Sequence, residues 1–248
     1  MNITDSFAVA ATFAAITVAV GCAGGKGGGH SATPAAPTGT TTVTTTAPPP
    51  PPPPPTMAPT SIDSLILAPA TVGDIVGTKF DYVAKPPPGF LSPPKPVAVV
   101  EGNPECGALY GPNTDSFGDY TAYRANSYEH DMTHPPLVNQ DVAMVADAKT
   151  ATQLLDTAFA KPLNSCDNAV TKNSFNMYTK WQKIDVTATD VRWTATGLKN
   201  GQVVGSVCAK EARAKNNVVI YAQVCEEGNG APTALATIVD KISEKIPG

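Results

Sequence analysis

The stretch Asn200–Cys225, NGQVVGSVCAKEARAKNNVVIYAQVC, contains two turn signals and two cysteines. Asn200-Gly201 is a strong two-residue hairpin turn, and Asn216-Asn217 is a weaker one of the same kind. The flanking segments QVVGSVCAKEARAK and VVIYAQVCEE read as strands, so the stretch predicts an antiparallel meander. If Asn216-Asn217 is the second turn, Lys215 faces Val218, and counting outward places Cys208 opposite Cys225. The closing pair is hydrogen-bonded and pairs then alternate, so Cys208 and Cys225 form a non-hydrogen-bonded pair with Cα atoms about 4.5 Å apart. A disulfide spans that distance.

The first turn provides a separate register. With Asn200-Gly201 closing it, Lys199 faces Gln202 and Trp193 faces Cys208, in a hydrogen-bonded pair. A strand residue points both backbone groups to one side. Cys208 is therefore expected to be hydrogen-bonded toward Trp193 and not toward Cys225, and the two turns agree on this independently.

Further strands are expected on either side. YTAYRANSYEH (120–130) and LVNQDVAMVAD (137–147) form a pair around the loop HDMTHPP. KIDVTATDVRWTATGL (183–198) reads as one strand, with room for a bulge near Thr189-Asp190. Two segments carry helical periodicity. In DAKTATQLLDTAF, Asp147 caps the start, and Ala151, Leu154, Leu155 and Ala158 recur at helical spacing. In APTALATIVDKISEKI, Pro232 suits the first turn and Leu235, Ile238, Val239, Ile242 and Ile246 form one apolar stripe. Each helix has a single apolar face and is expected to lie against a sheet. Strands, helix, strands, helix without regular βαβ alternation indicates an α+β fold, an antiparallel β-sheet with packed helices.

The chain has 248 residues and a net charge of −4. No Lys/Arg stripe interleaved with aromatics occurs, so nucleic acid is excluded as a partner. Its 25 prolines are about twice the ordinary share, and most precede residue 97. From Ala23 to about Ser61 there is no apolar periodicity. The tract GGKGGGHSATPAAPTGTTTVTTTAPPPPPPPP reads as a flexible glycine-rich coil followed by a polyproline II spacer. Thr40 to Thr46, near the prolines, are candidate O-glycan acceptors.

Before this tether, Phe7 to Val20 is uncharged and apolar. It is too short for a transmembrane helix, which needs about 20 residues, and matches the apolar region of a signal peptide. Ala19-Val20-Gly21-Cys22 resembles a bacterial lipobox, whose cysteine receives a diacylglyceryl group with acyl chains such as palmitate. Ala19 stands where such motifs usually carry Leu, Val or Ile, and the leader MNITDS has Asp5 and no basic residue. The expected organisation is a signal peptide over 1–21, a lipidated tether over 22–60 and a single domain over 61–248. With Cys22 lipidated and Cys208 paired with Cys225, Cys106 and Cys166 remain to pair by elimination. Two disulfides imply an oxidising, extracytoplasmic setting.

SLILAPATVGDIVG near the start of the domain, NSCDNAV, GSVCAKEARAKNNVVIYAQVC and the closing helix ATIVDKISEKI resemble the PknH-like extracellular sensor domain family of mycobacteria, including its stand-alone lipoproteins. The resemblance covers about residues 61–248, and the four domain cysteines match that family's first-with-second, third-with-fourth bridging. It implies a cleft for an unidentified ligand and no kinase activity. No phosphate loop, HRD or DFG stands in the chain.

His130 and His134 lie in the HDMTHPP loop rather than on a helix, so no metal is expected. No nucleophile motif appears, and neither an enzyme nor a cofactor is expected. Tyr123, Arg124, Trp181 and Arg192 are candidates for a ligand cleft, the arginines for an anionic ligand. The competing reading has the aromatics packing the sheet and the arginines on a solvated face. The expected function is a lipid-anchored module on the outer face of the plasma membrane that binds a small-molecule or cell-wall ligand. The alternative is a structural lipoprotein of the envelope with a protein partner.

Overall fold

The computed structural model describes residues 55–80, 82–83, 89–130 and 136–248. The expected signal peptide, Cys22, most of the tether and His134 lie outside the described residues. In chain order the elements are α1 (Pro69–Val76), β1 (Tyr82–Val83), β2 (Val99–Glu101), β3 (Ala122–Glu129), β4 (Leu137–Met144), α2 (Ala148–Leu155), α3 (Lys161–Cys166), β5 (Val170–Asn173), β6 (Tyr178–Val186), β7 (Asp190–Lys199), β8 (Gln202–Lys215), β9 (Val218–Glu226) and α4 (Ala231–Glu244). Two 3-10 helices, Pro59–Ser64 and Pro104–Tyr110, complete the set among the described residues.

The strands form one antiparallel sheet in the order β1-β3-β4-β9-β8-β7-β6-β5-β2. Asn216 adopts the left-handed conformation, φ 53°, that a two-residue hairpin turn requires. Lys215 faces Val218 and Cys208 faces Cys225, as the turn arithmetic expects. Those cysteines are bonded with Cα atoms 3.9 Å apart, and Cys106 is bonded to Cys166 at 5.7 Å.

The first hairpin closes as expected, with Lys199 opposite Gln202. Its outer register differs. A bulge lies between the pairs Leu198–Val203 and Thr196–Val207, so Ala195 faces Cys208 and Trp193 faces Lys210. Gly205, at φ 72°, sits within the bulge and supplies the backbone freedom that it needs. The shift is by two residues, so side chains keep the faces they would have had. The segment 183–198 is also corrected: it is not one strand. It contains the end of β6, a turn and β7, and the turn is built by Thr187 Oγ1 accepting from the backbone N–H of Asp190 at 2.9 Å.

Helices cover both faces at the centre of the sheet. On one face α4 lays Leu235, Ile238, Val239 and Ile242 against Val142, Val218, Ile220 and Val224. On the other, the α2–α3 helix buries Leu155, Phe159 and Leu163 against Tyr123, Trp193 and Tyr221. Asp147 caps α2 by accepting from the N–H of Thr150 at 2.7 Å. Between α2 and α3, Asp156–Ala160 forms a π-type turn. Pro162 gives a physical cause: in a regular helix its ring would collide with the carbonyl of Ala158, and the wider turn makes room. Because β9 is covered on both sides, nearly all of it is buried.

Candidate functional site

Two adjoining cavities form a cleft on the α2–α3 side of the sheet. The outer groove, about 680 Å³, runs between the segment 96–99, the 3-10 helix Pro104–Tyr110 and the π-type turn at Thr157 and Ala158. The deeper pocket, about 140 Å³, has Asn139 and Asp141 of β4 and Tyr221 of β9 in its wall, with Tyr110 and Pro112 opposite. Val97, Gly107 and Asn113 border both. π-type turns recur at functional sites, and this one lies on the groove wall.

The cleft walls are fixed by local chemistry. Asn103 Oδ1 accepts from the N–H of Glu105 at 3.0 Å and caps the 3-10 helix. The Cys106–Cys166 disulfide joins that helix to α3, so the two sides of the groove are covalently tied at one end. A Cβ at Gly107 would lie 3.0 Å from the Val97 carbonyl, so glycine permits the close approach of the outer segment there. Asn113 Oδ1 accepts from the N–H groups of Asp115 and Ser116, and the N–H of Thr114 donates to the Pro94 carbonyl. These bonds hold the loop over the pocket mouth.

The pocket wall carries charge that is buried. Asp141 is 8% exposed and accepts from the Tyr123 hydroxyl. Burial pushes its carboxyl up to about 7. Lys210 is on the same face of the sheet, across β9 on β8; burial pulls its ammonium down to about 7. Its Nζ donates to the Tyr110 carbonyl at 2.8 Å and to the Tyr221 hydroxyl at 3.0 Å, linking the sheet to the cleft's roof. The Tyr221 hydroxyl in turn lies 3.2 Å from Gln223 Oε1, to which it donates, and Gln223 Nε2 lies 3.0 Å from Cys225 Sγ. Burial also raises the Tyr123 and Tyr221 hydroxyls above their ordinary range. Asn139 Oδ1 is buried and accepts no hydrogen bond. A buried acceptor without a donor costs about 1–3 kcal/mol, a cost the fold carries here as it does at Asn126 Oδ1.

Of the four residues expected at a cleft, Tyr123 alone reaches this network, through Asp141. Trp181 is fully buried; its Nε1 donates to Thr171 Oγ1 at 2.9 Å and its ring packs edge-on to Tyr110. Arg124 points to the opposite face of the sheet and pairs with Asp63. Arg192 is on the surface, paired with Asp185 at 2.8 Å. Asp141, Asn139 and Lys210 were not anticipated. The available signal was the consecutive polar pairs Gln140-Asp141 and Lys210-Glu211 in largely apolar strands, which put polar groups on both faces of the sheet. Among the described residues no group of three or more His, Cys, Asp or Glu side chains could hold a metal ion. His130 Nδ1 lies 3.3 Å from the Lys79 carbonyl.

The fold resembles the crystal structure of the extracellular domain of PknH from Mycobacterium tuberculosis, with a TM-score of 0.64 at 21% identity, covering 77% of this chain and 98% of that one. No curated protein matches the sequence. Among the described residues no helix is long and apolar enough to cross a membrane. The family model described as the PknH-like extracellular domain matches residues 57–245, and the chain belongs to that family.

Proposed function

We propose that the chain is a lipid-anchored, extracytoplasmic binding module of sensor type, held to the plasma membrane through a diacylglyceryl group on Cys22 and receiving a ligand in the cleft. The observation that carries the ligand reading is the deep pocket, where Asp141 stands with one oxygen that takes no donor among the described residues. Such convergence of a few polar groups in a concave site is the ordinary form of a small-molecule site. The lipobox-like VGC and the proline-rich tether support the anchor. The reading assigns no catalytic step.

An envelope-interaction role has its own support. Phe175, Met177 and Val203 are 70%, 55% and 61% exposed, at two hairpin ends that β6 and β7 set side by side. Apolar groups gathered in this way are a common feature of protein contacts. Mass spectrometry of the protein extracted from its own membrane separates these readings. A diacylglyceryl mass on Cys22 and a co-purifying small molecule are expected. An unlipidated chain beginning at Met1 would refute the anchor, and a stoichiometric protein partner with an empty cleft would favour the interaction role.

A further inference from the structure

We propose that Asp141 and Lys210 form a proton-operated clasp on the roof of the deep pocket, holding the roof firmly on the acid side of neutral pH and loosening it on the alkaline side. The clasp needs no ligand in the cleft, so its failure would leave the ligand reading standing. Asp141 of β4 lies directly opposite Tyr221 of β9, and Lys210 of β8 reaches the hydroxyl of that tyrosine with Nζ at 3.0 Å. The same Nζ donates to the Tyr110 carbonyl at 2.8 Å, which fastens the 3-10 helix Pro104–Tyr110 to the sheet. Asp141 and Lys210 are 8% and 4% exposed. Asp141 has one hydroxyl donor and Lys210 has two uncharged acceptors; among the described residues neither is in an ion pair. A group denied both water and a close counter-charge favours its neutral form, so the acid's pKa rises and the base's falls. The two meet near neutrality, each at about 7.

The other groups around the pair leave this response to it. β3 contributes the Tyr123 hydroxyl and β9 the Tyr221 hydroxyl, both raised by burial and so protonated throughout the neutral range. The Tyr120 ring packs 5.9 Å from that of Tyr123. The 3-10 helix contributes Tyr110, whose hydroxyl lies 3.3 Å from Thr179 Oγ1, and the α2–α3 helix contributes the apolar Leu155, Phe159 and Leu163. Asn139 and Gln223 are uncharged amides. Lys95, Glu105, Asp115 and the Lys161–Asp156 pair are of both signs and stand on the exposed borders of the cleft, screened by water and salt. Below about pH 6, then, Asp141 is a neutral acid and Lys210 an ammonium; above about pH 8 Asp141 is a carboxylate and Lys210 an amine. The wall passes from one positive to one negative charge by releasing two protons. A bond donated by an ammonium is roughly twice as strong as one donated by a neutral group, so the hold on the Tyr110 carbonyl weakens as pH rises. In the same range a carboxylate appears in the pocket wall and favours water in the cavity. The proton is thereby an effector of the cleft.

NMR of the full chain between pH 5.5 and 8.5 tests the clasp. The Asp141 Cγ and Lys210 Cε resonances are expected to titrate near pH 7, and the amides of residues 107–111 to follow them. Protection of those amides against hydrogen exchange, taken relative to the amides of β9, is expected to be about fivefold lower at pH 8.5 than at pH 5.5, as when a charge-assisted bond becomes a neutral one. Asp141→Asn still accepts from Tyr123 but withdraws a negative charge that favours the ammonium, so the roof transition is expected to move to lower pH. Lys210→Met is expected to leave the roof at the low, alkaline level of protection at every pH while Asp141 still titrates. Roof protection that is flat across the range, or that rises with pH, would overturn the clasp. A transition that Asp141→Asn leaves in place would also overturn it, and this arm decides the matter even where Lys210→Met fails to fold.

Discussion

Asp141→Asn isolates the cost of burying a carboxylate in the pocket wall. The ordinary pKa of the group, 3.8, applies to the unfolded chain, and burial pushes it to about 7 in the fold. As pH rises past 4 the unfolded chain releases this proton while the folded chain keeps it. Unfolding is thereby favoured, and stability falls with pH until the folded group also ionises near 7. Each unit of difference corresponds to about 1.4 kcal/mol, so Asp141 lowers stability by about 2 kcal/mol between pH 5 and pH 7. Lys210 acts mostly above this window: its folded pKa is depressed to about 7, so its stability cost develops as pH falls from the ordinary 10.5 toward 7. Urea unfolding of the wild type and of Asp141→Asn at pH 5, 6 and 7 is the assay. The variant is expected to gain about 2 kcal/mol on the wild type across this range. Exposed carboxylates and histidines titrate equally in both proteins and cancel in the difference. Parallel pH profiles would refute the assignment of a raised carboxyl to Asp141.

Arg213→Met tests a second buried carboxylate, on the α4 face. Glu211 is 1% exposed and lies 2.7 Å from Arg213 Nη2, and Arg213 Nη1 reaches Asp240 of α4 at 2.7 Å. Loss of the arginine leaves Glu211 uncompensated and is expected to cost about 3–5 kcal/mol at pH 7 in urea unfolding. Most of that loss is expected to return in the double variant Arg213→Met/Glu211→Leu; a double variant no better than the single one would refute the pairing. Replacing both cysteines of a bridge by serine is expected to cost about 4 kcal/mol for Cys106–Cys166, which spans 60 residues, and about 3 kcal/mol for Cys208–Cys225, which spans 17. The reverse order in denaturant unfolding would show that loop length does not govern these bridges.

Sequence reasoning succeeded where one local signal was enough. Asn216-Asn217 places two strands in register and two cysteines opposite each other without reference to the rest of the fold. The registers that involved Trp193 and Val186 needed more. Gly205 marked the first bulge, since glycine within a strand is the common sign of one, while Thr187-Ala188-Thr189 looked like strand because threonine favours that conformation. The pocket was hidden for a different reason. Polar side chains in an antiparallel strand normally face water, so Asn139 and Asp141 of β4, Lys210 of β8 and Gln223 of β9 read as a solvated face. That inference assumes one bare side. Here two amphipathic helices meet opposite faces of the same three strands, α4 on one and α2–α3 on the other, and neither helix's apolar stripe reveals which face it will cover. Charged residues on a doubly covered strand cannot be solvated by the surface, so they must be paired, hydrogen-bonded or set against a cavity. Glu211 is paired with Arg213, and Lys210 is held by Tyr110 and Tyr221. Asp141 has a single donor and opens on the cavity, which makes it the least satisfied ionisable group at the centre of the sheet and the place where an external donor would gain most.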